Sequence, residues 1–160
     1  MSHIYRAYYA IRGLTNRRGM STNAVYGFVT MMRKLIDEEH PTYLGVAFDS
    51  SGPTVRHLEY EEYKATRPKM PEDLAEQLPY IRRYCEAMRI PILEMEGQEA
   101  DDIIGTLAKK AEAKGLEVVI VSIDKDLLQL VNDRIRVLDT RNGTLYGPEE
   151  VRKKWGVSPE

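Results

Sequence analysis

The chain has a single cysteine, Cys85, no apolar run near the roughly 18 residues a membrane helix needs, and no glycine-rich phosphate loop. Each absence excludes something. One cysteine cannot close an internal disulfide, and the amino end lacks the basic, apolar and small-residue succession of a signal peptide. We therefore expect a cytoplasmic protein with no membrane contact. The missing phosphate loop argues against an NTPase. His3, His40 and His57 are scattered without ligand spacing, which leaves no zinc site. Neither sign of charge dominates: 23 Lys and Arg against 25 Asp and Glu give a net charge of -2, so any grip on nucleic acid must come from local segregation of charge.

What is present is an alternation of helix and strand patterns in 160 residues, enough for one principal domain. Thr22 or Asn23 caps a predicted helix from Ala24 to Glu39, with Val25, Phe28, Val29, Met32, Leu35 and Ile36 at helical spacing and Pro41 closing it. Tyr43 to Phe48 reads as a buried strand ending at Asp49. The charged stretch from Thr54 to Met70 reads as an exposed excursion. Pro71, Glu72 and Asp73 open a helix to about Met88, whose stripe of Leu74, Leu78, Ile81 and Cys85 makes the cysteine a core residue rather than a nucleophile. A strand from Pro91 to Met95, a helix from Glu99 to Lys114 ended by Gly115, and a strand from Glu117 to Ile123 follow. A short helix (Lys125 to Val131) precedes a strand from Arg134 to Leu138. Asn142 and Gly143 turn the chain into Thr144 to Tyr146, and Pro148 opens a last helix, on which Trp155 with Val151 reads as a packing anchor. The pattern is α/β with a mostly parallel sheet flanked by helices.

In such sheets functional groups collect beyond the carboxyl ends of strands, and acidic residues stand there three times. Asp49 ends one strand; Glu99, Asp101 and Asp102 follow the next; Asp124 and Asp126 follow the third. Each group alone also reads as a helix cap or a solvated end. Together, six carboxylates would repel one another unless hard divalent cations such as Mg²⁺ or Mn²⁺ took their oxygens as ligands. Two ions about 3.5 to 4 Å apart suit in-line hydrolysis of a phosphodiester.

The run Gln98-Glu99-Ala100-Asp101-Asp102-Ile103-Ile104-Gly105-Thr106-Leu107-Ala108 resembles the signature of the 5′ nuclease domain of the bacterial DNA polymerase I type. The likeness extends to Tyr5-Arg6-Ala7-Tyr8, Leu14-Thr15-Asn16, Val46-Ala47-Phe48-Asp49, Tyr63-Lys64-Ala65-Thr66-Arg67-Pro68, Asp124-Lys125-Asp126 and Gly147-Pro148-Glu149-Glu150-Val151. This family of 5′-3′ exonucleases and flap endonucleases implies a PIN-like (resolvase-like) fold over residues 1–160 and metal ligation by Asp49, Glu99, Asp101, Asp102, Asp124 and Asp126. It implies catalytic basic residues near the scissile phosphate, which match Lys64 and Arg67, with Tyr63 available to stack on a base. Arg6 is a further DNA-contact candidate, although Tyr5, Tyr8 and Tyr9 around it also read as packing residues. Without the resemblance, the basic segment reads as a solvated charged helix, weakened as a positive field by Glu59, Glu61 and Glu62.

The implied substrate is DNA with 5′ ends or flaps, in replication and repair, with Mg²⁺ or Mn²⁺, two ions, and no organic cofactor. The family pattern begins with an apolar strand ending in a metal-binding Asp and continues into a helix-hairpin-helix DNA-binding region. Neither is found here, so the expected domain lacks the first strand, and a polymerase domain or a partner chain is the expected natural context. Two other readings stay open: a module that binds branched DNA without cutting it, and a PIN-type ribonuclease.

Overall fold

The computed structural model describes residues 1–50, 69–156 and 159. It divides into two compact units, one taking Met1 and residues 3–99, the other Ser2 and residues 100–160.

The first unit opens with helix α1 (Ser2–Ala10), an element that the sequence reading did not assign. Ile4 is its one buried residue, so burial gives only a narrow apolar signature. Helix α2 (Asn23–Glu39) matches expectation, buries Ala24, Phe28, Met32 and Leu35, and stops at His40 in the left-handed region ahead of Pro41. Helices α1 and α2 meet at Gly27, where an added Cβ would run into the Cβ of Ala7; glycine is what permits that approach.

Strand β1 (Val46–Ala47) and strand β2 (Ile92–Leu93) pair in parallel, Val46 opposite Ile92 and Ala47 opposite Leu93. Both are shorter than the apolar runs that announced them, because two strands satisfy backbone groups only where they face each other. The single helix expected from Pro71 to Met88 is two: α3 (Glu72–Ala75) and α4 (Leu78–Ala87). The break has a local cause. Gln77 N–H tightens onto Leu74 O, and Pro79, in the first turn of α4, has no N–H to carry the ladder through. Cys85 is fully buried, as its place on the apolar stripe predicts, and burial pushes its thiol up from the ordinary value.

A buried polar knot ties these helices together. Gln77 Oε1 accepts from the backbone N–H of Ala24 (2.9 Å) and Val25 (3.2 Å), donors that the first turn of α2 leaves without helical partners. Its Nε2 donates to Asn23 Oδ1 and to Asp73 O. Asn23 Nδ2 in turn donates to Tyr8 O and Ile11 O at the end of α1. Asp73 accepts from Tyr8 Oη at 2.7 Å and Ser21 Oγ at 3.1 Å, bonds that lower its pKa and raise that of Tyr8.

The second unit holds α5 (Ala100–Ala113), β3 (Val118–Val121), a 3₁₀ helix (Lys125–Leu130), β4 (Ile135–Asp139), β5 (Thr144–Tyr146) and α6 (Pro148–Trp155). β3 and β4 are parallel, and β5 returns antiparallel to β4. The expected mostly parallel sheet is thus two separate sheets, and no described strand pairs with both. The core of this unit gathers Ala108, Ile120, Leu127, Leu128, Val131, Ile135, Val137, Tyr146 and Val151. The short helix after β3 is 3₁₀ rather than α, with Asp124 as its cap. At α6 the expected anchor divides: Val151 is buried, whereas Trp155 is 37% exposed and leans on Tyr146 with ring centroids 5.6 Å apart.

Gln77→Leu is expected to cost roughly 3 kcal/mol, since a buried polar group left unpaired costs about 1–3 kcal/mol and several lose a partner. Urea unfolding measures it; a loss below about 1 kcal/mol would mean that the knot is not an important support.

Candidate functional site

Asp49 follows β1 by two residues and is exposed. Phe48 between them is buried, and its N–H bonds to Leu93 O, carrying the strand pairing up to the residue before Asp49. Because β1 and β2 run parallel, Asp49 and the segment after β2 leave the sheet at the same end. That segment reaches Glu99, which is 6% exposed. Arg82 of α4 stands at this end as well, its guanidinium 4.6 Å from the Phe48 ring centroid and 3.0 Å from Glu94. The sequence reading missed it, because nothing in the pattern of α4 distinguishes Arg82 from the other charges on its outer face.

In the second unit, Asp101 and Asp102 occupy the first turn of α5, where the helix dipole favours negative charge. Asp101 is exposed and Asp102 half-buried. Asp124, beyond the carboxyl end of β3, takes the N–H of Asp126 on its side chain at 3.0 Å, and its own N–H donates to Ser122 Oγ at 3.0 Å. One oxygen of Asp124 is thereby engaged in capping, and Asp126 is exposed.

A second carboxylate lies at this strand end, and the sequence reading passed over it. Asp139 closes β4, parallel to β3, and is 4% exposed. Strand-end position was the signal used for Asp49 and Asp124, and it applies equally to Asp139. Its chemistry differs. Arg141 forks onto it, with Nη2 2.6 Å from Oδ2 and Nε 3.0 Å from Oδ1, and the Arg141 N–H donates to Oδ1 at 2.9 Å. The guanidinium holds the Asp139 carboxyl below the usual range against the opposing effect of burial. A shallow cleft at this end is lined by Ser122, Asp124, Lys125, Asp139, Arg141, Tyr146, Lys154 and Trp155. Lys154 Nζ donates to Tyr146 Oη, which lowers the phenol's pKa, and sits 4.8 Å from the Trp155 ring centroid.

The candidate ligands have the right donor chemistry for a hard divalent cation, all carboxylate oxygen. Among the described residues, however, no three His, Cys, Asp or Glu side chains gather closely enough to hold a metal ion. Tyr63, Lys64 and Arg67 lie outside the described residues. Arg6 is exposed on α1, beside Tyr5 and Tyr9 stacked at 6.4 Å, while Tyr8 is committed to Asp73. Among the described residues no helix is long and apolar enough to cross a membrane.

Carboxylates beyond the ends of parallel strands, in an α/β frame, stand where such folds place their functional groups, and comparison with known proteins gives the family. A family model of 5′-3′ exonuclease N-terminal resolvase-like domains matches residues 1–156. The chain belongs to this family. It is 48% identical to DNA polymerase I of Bacillus subtilis over 98% of its own length and 18% of the polymerase. It is 44% identical to a 5′-3′ exonuclease of Aquifex aeolicus, covering 99% of this chain and 55% of that one. The chain therefore spans only part of these relatives. Among solved structures, T5 5′-exonuclease with bound zinc shares the fold at a TM-score of 0.63 and 20% identity, over 82% of this chain and 52% of that one. The T5 D15 flap endonuclease in complex with DNA and metal ions does so at a TM-score of 0.63 and 21% identity, over 88% and 57%.

Asp139→Asn tests the ion pair. A carboxyl whose folded-state pKa lies below its unfolded value adds stability that is complete above the ordinary 3.8 and is lost as pH falls through the lowered value. The variant should be less stable near pH 7 by roughly 1.5–3 kcal/mol, towards the lower figure because Arg141 is 44% exposed. Melting curves from pH 7 to 2 should show the gap close below the ordinary Asp range; a gap constant with pH would rule out the ion pair as its source.

Proposed function

We propose that the chain is the nuclease portion of a 5′-3′ exonuclease or 5′-flap endonuclease that hydrolyses DNA phosphodiester bonds in replication and repair. The observation that carries this reading is the placement of carboxylates beyond the ends of parallel strands in a chain of the 5′-3′ exonuclease family. Asp49, Glu99, Asp101, Asp102, Asp124 and Asp126 would hold Mg²⁺ or Mn²⁺, two ions in the full reading. Bound divalent cations supply Lewis-acid neutralisation of the phosphate and ionisation of a water at neutral pH.

The chain's own residues have separable tasks. Carboxylates such as Asp101 and Asp126 supply negative oxygen where cations are needed and repel the phosphodiester where they are absent, which makes cleavage switch off in a chelator. Lys64 and Arg67 neutralise and orient the phosphate, and Tyr63 stacks on a base next to it. In the reaction, water adds to phosphorus and one phosphorus-oxygen ester bond breaks, the released oxygen taking a proton. The Bacillus relative is a DNA polymerase I of which this chain would correspond to 18%, so a polymerase domain and further DNA-gripping elements are part of the proposed natural context, in the cytoplasm.

A second reading is a module that binds branched DNA without cutting it. The two readings separate in one assay. The purified chain, once shown to be folded, is given a 5′-flap DNA and a single-stranded RNA with Mg²⁺, Mn²⁺ or a chelator. Metal-dependent cutting of the flap supports the nuclease; binding without cutting supports the module; cutting of the RNA alone would replace both with a ribonuclease.

Within the nuclease reading, Asp101→Asn should lower Mg²⁺-dependent cleavage by about 10²-fold or more while DNA binding persists. Cleavage equal to that of the parent chain would remove Asp101 from the mechanism. Lys64→Ala should slow turnover and flatten the salt dependence of binding by about one phosphate's worth, a log-log slope change near 0.9. Superimposable salt curves would return Lys64 to the solvated surface.

A further inference from the structure

Charge is not spread evenly along the chain. Residues 1–36 carry six Lys and Arg (Arg6, Arg12, Arg17, Arg18, Arg33 and Lys34) and no Asp or Glu; the first acidic residue is Asp37. Since the whole chain has a net charge of -2, residues 37–160 carry -8, with 17 basic against 25 acidic residues. With that balance the amino-terminal segment is the part of the chain whose net charge attracts a polyanion.

Three of the arginines sit on one loop between α1 and α2, and the loop is held in shape. Thr15 and Ser21 form an isolated antiparallel bridge, Thr22 N–H donates to Leu14 O at 2.9 Å, and Asn16 N–H donates to Met20 O at 2.9 Å. At the tip, Asn16 Oδ1 accepts from the N–H of Arg18 and of Met20, a side-chain turn that fixes the backbone carrying Arg17 and Arg18. Gly13 and Gly19 take positive φ at the two bends. The base is anchored by Asn23, which donates to Ile11 O, and by Asp73, which accepts from Ser21.

This order buries nothing on the loop itself, since every residue from Arg12 to Gly19 is exposed. None of Arg12, Arg17 and Arg18 makes an ion pair or side-chain hydrogen bond with any described residue, and the acid at the base, Asp73, is engaged by Tyr8 and Ser21. A solvated charged surface requires no such pinning. A pinned loop presenting guanidiniums is pre-organised for phosphate oxygens, because little further ordering is needed when they meet.

We infer that this loop is a binding element for the phosphate backbone of duplex DNA, with Arg12, Arg17 and Arg18 as its contacts. Duplex is favoured over a single strand because residues 12–20 contain no aromatic side chain on which an unstacked base would lie, whereas duplex backbone offers the denser row of phosphates. The contacts are sequence-independent: they position the substrate rather than read it. The inference rests on the nuclease reading above and adds where the double-stranded part of the substrate is held.

The test is binding of a blunt DNA duplex, without flap and in a chelator, by the parent chain and by the R12Q/R17Q/R18Q variant across a range of KCl. The variant should bind roughly 10-fold or more weakly near 0.1 M salt, and its log-log salt slope should shrink by about 2 to 3, near 0.9 for each phosphate that an arginine no longer neutralises. The R12K/R17K/R18K variant, which keeps charge, should retain most of the slope, and both variants should melt with the parent, since the replaced side chains are exposed and bond to no described residue. Equal slopes and affinities for parent and glutamine variant would overturn the inference, as would a parent chain that binds no duplex. Flap cleavage measured in parallel separates the two proposals. A chain that cuts flaps yet shows no loop-dependent duplex binding keeps the nuclease reading and loses this one; loop-dependent binding without metal-dependent cleavage does the reverse.

Discussion

The amide of Gln77 organises the first unit. An uncapped helix start buried against protein would leave N–H groups without partners, and α2 begins in such a place. Gln77, reaching from the joint between α3 and α4, supplies an acceptor to Ala24, which also donates to Asn23 Oδ1, and to Val25, and its amide nitrogen closes the circuit through Asn23 to the end of α1. Four helices thus depend on two side-chain amides. The same circuit holds the ends of the loop before α2, so the orientation of its arginines follows from a hydrogen-bond network that none of them joins. Packing alone would tolerate sliding of these helices; directional bonds at about 2.9 Å do not.

In the second unit the corresponding constraint is electrostatic. Parallel pairing of β3 and β4 brings Ser122 and Asp139 to one sheet end, and Asp124 follows within two residues. Two carboxylates at a strand end repel unless something positive intervenes. Arg141 supplies that for Asp139, in a turn whose Asn142 and Gly143 also reverse the chain into β5. Asp139 is therefore committed to the structure, whereas Asp101 and Asp126 stay exposed. Burial and a bidentate arginine, rather than residue type, mark Asp139 as a carboxylate that supports the fold.

The two proposals draw on opposite signs of charge. Carboxylates at strand ends suit cations and, by themselves, hold phosphate away; the amino-terminal 36 residues contain no carboxylate side chain at all. An enzyme acting on a polyanion through metal ions needs both, one region that is acidic until loaded and another that attracts the substrate regardless. The net charge of the chain, close to zero, conceals this division.

Much of the element order was legible because it rests on local chemistry. The apolar stripe of α2, the proline at the start of α6 and the Asn142-Gly143 reversal act within a few residues and need no tertiary information. So do the strand-end positions of Asp49, Asp124 and Asp126, and the long motif from Gln98 to Ala108 that carries the family. Other features were decided by contacts distant in sequence. The division into α3 and α4, the true extents of β1 and β2, the partition into two sheets, and the role of Gln77 depend on partners up to 54 residues away. Asp139 shows the boundary best. Its position at a strand end is written in the sequence, but its neutralisation by Arg141 is a matter of geometry, since only the folded turn brings the guanidinium onto both carboxylate oxygens. Sequence determines which groups are available and where along the chain they stand; tertiary structure decides which are left over for function, because each hydrogen bond or ion pair made inside the fold removes a group from those that can meet a ligand.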